Sequence, residues 1–369
     1  MSQKNPLNHI HLTGYKSINN VDLSLRPLNV LIGANGAGKT NFISLFTLLR
    51  NIMDSNLAVY IARQGGADTF LHFGQQNTER IEIKLTFGAN GYNCILVPAA
   101  GDTLIFEEED VTFQDKSRYQ SPYIQSLGGG YKETKLFDDY GKPTTRIARY
   151  VIQSMKSWRV YHFHDTSSSA KVKQTGDLND NISLRPDAGN LAAFLYRLQE
   201  TEPQSYRRIV AAIRQVAPFF DNFSLRPDPL NLQKIRLEWI EKGSDSYFSA
   251  NYLSDGTLRF ICLATLLLQP DLPATILIDE PELGLHPYAI VLLASLLRKA
   301  ATRTQVIVST QSVPLVNQFL PEDIIVVDRE GSTSSFQRLD TANLENWLDE
   351  YGLGDLWEKN AFGGRPQGV

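Results

Sequence analysis

Apolar and polar positions near the start of the chain alternate first with the period of strands and then with that of a helix. Residues 8–32 contain the segments HIHLTGYKSI and LSLRPLNVLIG, which predict two short strands around a turn. The second segment ends in three apolar residues, at 30–32, followed by a glycine. A helix is predicted next, because an apolar stripe with helical spacing follows, at Phe42, Leu45, Phe46, Leu48 and Leu49.

The middle of the chain has a different pattern. Residues 80–113 alternate apolar and polar side chains, as strands with one buried face do. Residues 115–145 are polar and rich in glycine, and they predict a mobile loop. Two helices are predicted across 189–217, the second with Pro203 in its first turn. Alternating strand and helix patterns resume at about residue 250 and continue to residue 328.

These patterns predict how the chain is divided. The strongly apolar segments 1–90 and 250–345 are expected to form one composite α/β domain. Residues 91–249 would be an inserted subdomain of strands and helices, and residues 346–369 a C-terminal tail. A chain of 369 residues is long enough to bury a core of that size.

Composition narrows the class of protein. With 42% hydrophobic and 21% charged residues, the chain has the composition of an ordinary globular protein, and its formal net charge of −4 gives no global argument for nucleic acid. The longest apolar runs, such as FICLATLLL, are too short to span a bilayer, and no secretory signal is visible. Two cysteines exclude a disulfide framework and a cysteine-rich zinc site. A cytoplasmic protein without a membrane partner is expected.

The strongest motif is the segment GANGAGKT, which begins at Gly33 and fits G-x-x-x-x-G-K-[ST] between a predicted strand and a predicted helix. Gly33, Gly36 and Gly38 permit a loop whose backbone N–H groups turn inward around phosphate oxygens. Lys39 would contact the β- and γ-phosphates, and Thr40 would offer a hydroxyl to Mg²⁺. The flanking elements disfavour the alternative, a glycine-rich turn with an incidental lysine.

A second motif lies in ATILIDEPELGLHP, residues 274–287. Residues 275–278 predict a buried strand that ends at Asp279, where a carboxylate can hold a magnesium ion. Glu280 follows, where a carboxylate can orient a water for attack on a γ-phosphate. An acidic turn after a strand is common by itself, but downstream of a phosphate loop the pattern becomes specific.

Two weaker segments complete the set. In NYLSDGTLRF, Ser254 and Gly256 precede an apolar helical stripe, so the helix N-terminus could face an anion. Taken in isolation, the segment is equally an ordinary helix cap. In VIVSTQSVPLV, a predicted strand stops at small polar residues that include Gln311.

In order and spacing, these motifs resemble those of the ABC-type ATPases, and within them the RecF/SMC/OLD-like branch. LTGYKSI resembles the first strand of SMC and RecF heads, and DEPELGLHP resembles the segment after the catalytic glutamate in OLD-like and RecF-like ATPases. Three further segments resemble stand-alone ATPases of bacterial genomes: VYHFHDTS, GNLAAFLYRL and YGLGDLWEKNAFGGRP. The resemblance implies an α/β fold, a P-loop ABC-type ATPase head with a mixed sheet flanked by helices, an antiparallel β subdomain and an inserted helical and irregular region.

The resemblance also implies ATP and Mg²⁺ as cofactors and a role for each matching residue. Glu280 would be the general base, and Asp279 and Thr40 would hold the metal. The ATP-binding residues would be Lys16, Gly33, Asn35, Gly36, Ala37, Gly38, Lys39, Thr40, Asn41, Ser254, Gly256 and His286. Ser254 and Gly256 would contact the γ-phosphate bound by the opposite protomer, since two heads of this family sandwich two ATP molecules. Glu282 and His286 would lie between the heads.

Two glutamines receive more specific expectations. Gln75 or Gln76 is the candidate for the glutamine-loop residue at the metal. Gln311 occupies the switch position, where transporter ATPases carry a histidine and OLD-like relatives carry STQS as this chain does. Because glutamine has no titratable proton at neutral pH, hydrolysis is expected to be slow and without pH dependence from residue 311.

Other polar clusters have two interpretations each. His162, His164 and Asp165 could hold a metal, or the histidines could be hydrogen-bonded at the end of a strand. The arginines of the second predicted helix, at positions 207, 208 and 214, could contact nucleic-acid phosphates or form a solvated face.

The resulting functional hypothesis is an ATP hydrolysing head that forms an ATP-dependent head-to-tail homodimer or higher oligomer. It would regulate a separately encoded nuclease or toxin, in anti-phage defence by resemblance. The alternative is a RecF-like DNA-repair ATPase that binds DNA. A transporter motor is disfavoured by the ELGLHP segment, and a nuclease by the lack of a recognisable nuclease segment after residue 330.

Overall fold

Two six-stranded sheets organise the chain in the computed structural model, which describes residues 6–115, 117–118, 120–340 and 351–364. The strands of the first sheet are β1 (His9–Tyr15), β2 (Ile18–Ser24), β4 (Ile81–Phe87), β5 (Asn90–Ala99), β6 (Thr103–Phe113) and β7 (Tyr123–Gly128). They lie in the order β2-β1-β4-β5-β6-β7, and each neighbouring pair is antiparallel.

The second sheet is parallel except at one edge. Its strands are β3 (Leu28–Ile32), β8 (Trp158–Tyr161), β15 (Thr275–Asp279), β16 (Gln305–Thr310), β17 (Ile324–Glu330) and β18 (Thr333–Arg338). They lie in the order β18-β17-β3-β16-β15-β8, with β18 antiparallel to β17. Apolar runs such as LNVLI form its central strands, because both faces of a parallel sheet are covered and every side chain of β3 is buried.

Two small sheets and a set of helices surround these layers. The small sheets consist of β10 (Phe220–Phe223), β13 (Glu238–Glu241) and β14 (Tyr247–Ser249), and of β9 (Gly176–Asp177), β11 (Pro227–Asp228) and β12 (Asn231–Ile235). The described α-helices are α1 (Lys39–Met53), α2 (Leu57–Arg63), α3 (Arg146–Lys156), α4 (Leu191–Thr201), α5 (Pro203–Val216), α6 (Asp255–Leu268), α7 (Pro287–Ala301), α8 (Val313–Val316) and α9 (Leu353–Glu358). Within the described ranges, no helix combines the length and the apolarity needed to cross a bilayer.

Successive side chains of the parallel strands point to opposite faces of the sheet, and each face packs into its own hydrophobic core. Leu31 of β3 packs with α1 and the antiparallel sheet. Val30 and Ile32 point to the opposite face and pack with α6 and α7. The helix that follows the phosphate loop and the helix that begins at Ser254 therefore lie on opposite faces of the same sheet.

Most predicted elements are confirmed, and the fold class is the predicted α/β arrangement of a helix-flanked mixed sheet with an antiparallel subdomain. The stripe of α1 is buried, residues 80–113 form β4 to β6, and α4 and α5 occupy the segment 189–217. The prediction of two strands in residues 8–32 was wrong, since there are three. The chain reverses at Lys16, which has a φ of 49°, so β1 and β2 form a hairpin before β3.

The prediction of a loop over 115–145 was also incomplete, and Lys116 and Tyr119 lie outside the described residues. Residues 123–128 form β7, the edge strand of the antiparallel sheet. Buried Glu109 of β6 holds the next segment through hydrogen bonds from Tyr131 Oη at 3.0 Å and Lys135 N at 2.8 Å. Hydrogen bonds to a buried carboxylate thus attach this polar segment to the sheet.

The predicted division at residues 91 and 250 does not separate the sheets. The antiparallel sheet continues across residue 91 into β5, β6 and β7. The parallel sheet contains β8, from the predicted insertion, beside β15. Of the predicted C-terminal tail, residues 351–364 are described and include α9. Residues 341–350, which contain the predicted boundary at 345, and residues 365–369 lie outside the described ranges.

Candidate functional site

The loop GANGAGKT joins β3 to α1 and is pressed against the adjacent strands. A Cβ at Gly33 would lie 2.1 Å from the carbonyl oxygen of Val327 in β17. Gly38 has a φ of 121°, and a Cβ there would lie 2.2 Å from Ser334 Oγ in β18. Glycine is required at both positions because backbone and side chains approach closer than a Cβ allows. The loop is therefore held in one shape by the sheet edge.

Lys39 lies inside the curve of this loop. Its Nζ donates to the carbonyl oxygens of Gly33 at 2.6 Å and Ala34 at 2.9 Å. Burial lowers the pKa of the Lys39 ammonium, and the negative charges of Glu280 and Asp279 act in the opposite direction. The ammonium is thus partly desolvated and faces carboxylates, which makes it a strong partner for a phosphate oxygen.

Asp279 and Thr40 form the predicted metal-binding pair. Asp279 ends β15 beside Ser309 of β16, and Ser309 Oγ donates a hydrogen bond to Asp279 Oδ1. Thr40 Oγ1, in the first turn of α1, lies 3.4 Å from Asp279 Oδ2. A hydroxyl and a carboxylate oxygen at this separation are hard ligands of the kind that Mg²⁺ takes from a protein, so these residues fit the ion.

Glu280 and Gln311, the two predicted catalytic residues, are brought together by the structure. Gln311 Nε2 donates a hydrogen bond to Glu280 Oε1, and Glu280 N donates to Ser309 O at 2.9 Å. Glu280 has a φ of 42°, in the left-handed region that side chains other than glycine rarely adopt. Such a conformation persists only where its surroundings enforce it, which is typical of functional sites.

Glu282 is a further member of this cluster. Its Oε1 accepts hydrogen bonds from Thr310 Oγ1 at 2.5 Å and Gln311 N at 3.2 Å, whereas its buried Oε2 has no partner among the described residues. Burial raises the pKa of Glu282, and the hydrogen bond from Thr310 opposes that rise. The sequence suggested a place between heads for Glu282; in the chain itself it anchors the backbone of Gln311.

The segment LSDGT lies away from the phosphate loop of its own chain. Ser254 is the N-cap of α6 and accepts a hydrogen bond from Thr257 N at 3.2 Å. A Cβ at Gly256 would lie 2.3 Å from the carbonyl oxygen of Gly284, so α6 rests directly on the ELGL turn. Because α6 and α1 lie on opposite faces of the sheet, Ser254 and Gly256 do not complete the site that Lys39 and Asp279 form.

Arg259 was not recognised in the sequence, although a charged residue inside an apolar helical stripe is a detectable signal. Its side chain is 5% exposed. Its guanidinium donates to the carbonyl oxygens of Phe163 at 3.0 Å and His164 at 3.1 Å, and to that of Leu283. His164 Nε2 in turn lies 2.7 Å from the carbonyl oxygen of Asp279. Arg259 thus connects α6 to both segments that flank the acidic pair.

Lys16 and Asn41 lie beside the first turns of α1. Lys16 Nζ donates to Ser44 Oγ at 3.1 Å, and burial lowers the pKa of this ammonium. Asn41 Nδ2 donates to Ser17 Oγ at 2.7 Å. Both contacts attach the β1–β2 hairpin to the helix that carries Thr40, as expected for residues near a nucleotide.

Two further predicted site residues are Gln75 and His286. Gln75 donates from its backbone N to Asp68 Oδ1 at 2.8 Å and from its side chain to Asp102 Oδ1 at 3.5 Å. These contacts attach the loop to the turn between β5 and β6, and the expectation of a metal ligand at this position stays a prediction. His286 is the N-cap of α7 and accepts from Tyr288 N at 3.3 Å.

No metal site forms at the YHFHDT segment. Within the ranges that the structure describes, no three side chains of His, Cys, Asp or Glu are grouped to hold an ion. Burial lowers the pKa of His162, and Asp165 Oδ1 accepts hydrogen bonds from Ser167. His164 is hydrogen-bonded through its ring to the carbonyl oxygen of Asp279 at a strand end, as the second interpretation of this segment held, and His162 is bonded there through its backbone N to Pro186 O.

The arginines of α5 make local contacts, and Arg207 Nε donates to Pro203 O at 3.3 Å. Arg214 pairs with Asp221 at 3.0 Å, and Arg208 donates to Ser205 Oγ at 2.9 Å. These contacts fit the interpretation of a solvated helix face.

Comparison with known proteins identifies the family. Residues 28–317 match the family described as "AAA domain, putative AbiEii toxin, Type IV TA system". The match contains the phosphate loop, the LSDGT segment, the acidic pair and Gln311.

Curated relatives point to the same branch. The chain is 27% identical over 139 residues to the DNA replication and repair protein RecF of Cronobacter sakazakii, covering 37% of this chain and 38% of the relative. It is 24% identical over 225 residues to RecF of Renibacterium salmoninarum, covering 54% of each. The chain thus matches about half or less of the length of these relatives.

Among solved structures, the fold is similar to that described as the SmcHead bound to the C-winged helix domain of ScpA. The TM-score is 0.55 at 15% sequence identity, and the similarity covers 93% of this chain and 99% of that one. At this identity the likeness concerns the fold alone. With more than half of its length matched by the family, the chain belongs to this AAA-domain family.

Proposed function

We propose that the protein binds ATP with Mg²⁺ and hydrolyses it slowly to ADP and phosphate, in a site that two copies of the chain complete. The observation that carries this proposal is the convergence of Lys39, Thr40, Asp279, Glu280 and Gln311 at the carboxyl ends of three adjacent parallel strands. Ligands of open α/β sheets bind at that edge.

Each residue has a distinct chemical task. The loop amides and Lys39 bind the phosphate oxygens and neutralise charge that develops on them. Glu280 accepts the proton of the attacking water, and Gln311 holds the carboxylate in place through its hydrogen bond. A magnesium ion held by Thr40 and Asp279 would supply positive charge at the β- and γ-phosphate oxygens.

A second copy supplies the missing contact to the γ-phosphate. Ser254 lies on the face of the sheet opposite α1, so the N-terminus of α6 can serve only the site of another chain. Large apolar side chains are exposed around this helix terminus: Tyr252 at 75%, Leu283 at 47% and Tyr288 at 55%. Neighbouring exposed apolar side chains of this kind support a protein interface.

The test is the variant Glu280→Gln, which keeps the shape of the side chain and removes its basicity. The variant is expected to bind ATP, to lose turnover, and to form a dimer with ATP and Mg²⁺ when measured by light scattering after size exclusion. Glu108→Gln, an exposed change on the antiparallel sheet, is the control. A Glu280→Gln protein that stays monomeric at saturating ATP would contradict the shared site.

The dimer is further proposed to regulate a separately encoded nuclease or toxin in anti-phage defence. The description of the family, which names a toxin–antitoxin system, supports this assignment. The test is co-expression with the product of the neighbouring reading frame, followed by purification with ATP and with ADP. The two products are expected to co-purify in a way that depends on ATP. Their co-expression is expected to protect the cells from phage in a plating assay, and Lys39→Ala is expected to abolish that protection. If co-purification is the same with ATP and with ADP, and the Lys39→Ala variant protects as well as the wild type, the assignment is overturned.

A RecF-like role on DNA is the second candidate, because the curated relatives are RecF proteins. It requires DNA binding that depends on ATP and weakens steeply with salt, since phosphate contacts release counterions. A salt titration of duplex binding by the Glu280→Gln protein distinguishes the two. Binding without dependence on ATP or salt rules out this candidate.

A further inference from the structure

The C-terminal segment, residues 351–364, folds back onto the residues that follow Gln311. Its helix α9 packs on α8, which begins two residues after that glutamine. Gly354 N donates to Asn317 Oδ1 at 2.6 Å, and a Cβ at Gly354 would lie 2.6 Å from the carbonyl oxygen of Val313. The segment is therefore in tight contact with α8, directly after the switch residue.

The same segment also reaches the phosphate loop. Gly364 N donates to Asp328 Oδ2 at 3.1 Å. A Cβ at Gly364 would lie 3.0 Å from Trp357 Nε1, 3.1 Å from Val326 Cγ1 and 3.7 Å from Gly33 Cα. Trp357 and Gly364 thus pack together against the first residue of the loop.

A cavity of about 270 Å³ lies at this junction, lined by residues 33–35, Gln311, Trp357 and Gly364. Trp357 is 7% exposed, and its indole N–H has no hydrogen-bond partner among the described residues. A buried donor without an acceptor costs free energy. Gly364 packs closely on this N–H, since a Cβ at residue 364 would lie only 3.0 Å from Trp357 Nε1.

We propose that residues 351–364 position the nucleotide site, with Trp357 as the positioning residue between the phosphate loop and the Gln311 segment. When the site fills, the loop and the Gln311 segment adjust, and the Trp357 N–H gains an acceptor in the cavity. This inference rests on the proposed ATP binding and assigns a role to a segment that lies outside the matched residues 28–317.

The first test is Gly364→Ala with Gly130→Ala as its matched control. Both glycines have a similar φ, 82° and 84°, but a Cβ at Gly130 has nothing within 4 Å. The two variants introduce a side chain at nearly the same φ, and only Gly364→Ala presses on Trp357 and Val326. Gly364→Ala is expected to lower kcat/KM for ATP about 10-fold relative to Gly130→Ala, measured at a temperature where both variants are folded.

The second test follows Trp357 itself. The chain has four tryptophans, and Trp357→Phe assigns the Trp357 signal among the indole ¹H–¹⁵N resonances of the whole protein. ATPγS with Mg²⁺ is expected to shift that signal. Trp357→Phe, which keeps a ring but removes the N–H, is expected to raise KM more than it lowers kcat.

The outcomes separate this inference from the proposed function. Wild-type protein that binds ATP, with Gly364→Ala equal to Gly130→Ala or with an unshifted Trp357 signal, overturns the positioning role alone. Wild-type protein that binds no nucleotide overturns both.

Discussion

At the scale of single residues, the acidic cluster after β15 is ordered by the strand beside it. Glu280 is held by Gln311 Nε2, and Gln311 N is held by Glu282. Glutamine in this position donates to the carboxylate without competing for its proton, because an amide does not titrate at neutral pH. The arrangement keeps Glu280 oriented while leaving its second oxygen free to act on a water.

Gln311→Ala tests that arrangement. Turnover is expected to fall about 10-fold or more, because the general base loses the donor that orients it. The dissociation constant for ATP is expected to change little, since phosphate binding depends on the loop and Lys39. Steady-state hydrolysis and ATP titration measure the two effects, with the exposed Gln153→Ala as control. Activity equal to wild type would remove Gln311 from the site.

Glu282→Gln gives a prediction about pH. Burial raises the pKa of Glu282 in the folded protein, so its ionisation is less favourable there than in the unfolded chain. Its stabilising contribution is present below the unfolded value, about 4.3, and is lost as the pH rises through the folded pKa. The glutamine side chain of the Glu282→Gln variant does not ionise, so the variant does not lose stability in this way as the pH rises.

The Tm of Glu282→Gln minus that of wild type is therefore expected to increase as the pH rises from about 4.3, the unfolded value, through the folded pKa. Thermal unfolding of both proteins at several pH values measures it, with Glu108→Gln as the exposed control. A difference that stays flat or falls over this range contradicts the assignment of a destabilised carboxylate.

At the scale of elements, α6 is joined to the acidic strand end through Arg259. The guanidinium donates hydrogen bonds to three carbonyl groups, two of them in the segment after β8 and one in the turn after β15. A change in the position of α6 therefore reaches the backbone of His164 and Leu283, and through His164 that of Asp279. Arg259 and His164 thus connect the helix that is proposed to meet a partner's γ-phosphate to the residue that is proposed to hold the metal.

Arg259→Lys is expected to destabilise the protein by about 2–3 kcal/mol, because an ammonium cannot replace the fork of donors and buried carbonyls lose their partners. Turnover is expected to fall roughly 10-fold as the acidic pair shifts. Chemical unfolding and ATP hydrolysis measure both. Arg298→Lys, an exposed arginine with a carbonyl contact on α7, is expected to change stability by less than about 0.5 kcal/mol.

Glu109 is the corresponding anchor of the antiparallel sheet. Its carboxylate accepts hydrogen bonds from Tyr92, Tyr131 and Thr134 side chains and from Lys135 N. Glu109→Gln places an amide N–H₂ against two of these donors and is expected to cost about 1–3 kcal/mol. ATP turnover should remain, because the network lies on the other sheet. The exposed neighbour Glu107→Gln is the control, and equal stability of the two variants would contradict the prediction.

The sequence predicted the elements that carry local signals and missed those made by packing. The phosphate loop, Asp279, Glu280 and Gln311 follow strands whose apolar runs are recognisable. The role of Gln75 stays a prediction, because nothing in its local pattern tells which surface the loop packs on. The β1–β2 turn was missed because the reversal occurs at Lys16, a residue without turn propensity.

The contacts of Arg259 and Trp357, and the contact of Glu282 with the backbone of Gln311, were not predicted for a related physical reason. Their partners are distant in sequence, as in the contact of Arg259 with Phe163, so burial and hydrogen bonding become visible only when the elements are assembled. A charged residue in an apolar stripe is the only signal that local pattern offers for such a role.

At the scale of the whole molecule, the parallel sheet separates the two halves of the catalytic machinery. The phosphate loop lies on the face that packs with the antiparallel sheet, and α6 lies on the other. A rigid chain with this arrangement cannot bring Ser254 to its own Lys39, because the sheet stands between them. In the proposed dimer, association of two copies would remove that restriction, and ATP would become part of the interface and stabilise it through linkage.

Leu283→Asp tests this arrangement directly. Leu283 is 47% exposed in the ELGL turn, so a charge there is tolerated by the monomer but has to be buried without a partner in the dimer. In the Glu280→Gln protein with ATP, the dimer fraction is expected to fall about tenfold, while ATP binding by the monomer remains.

Leu230→Asp in the same background is the matched control, because Leu230 is 99% exposed in the hairpin between β11 and β12, far along the chain from the ELGL turn. It is expected to dimerise as its parent does. Sedimentation velocity measures both proteins at equal concentration. If Leu283→Asp dimerises as fully as Leu230→Asp, the two copies meet through another surface, and the exposed side chains around Ser254 have no part in closing the site.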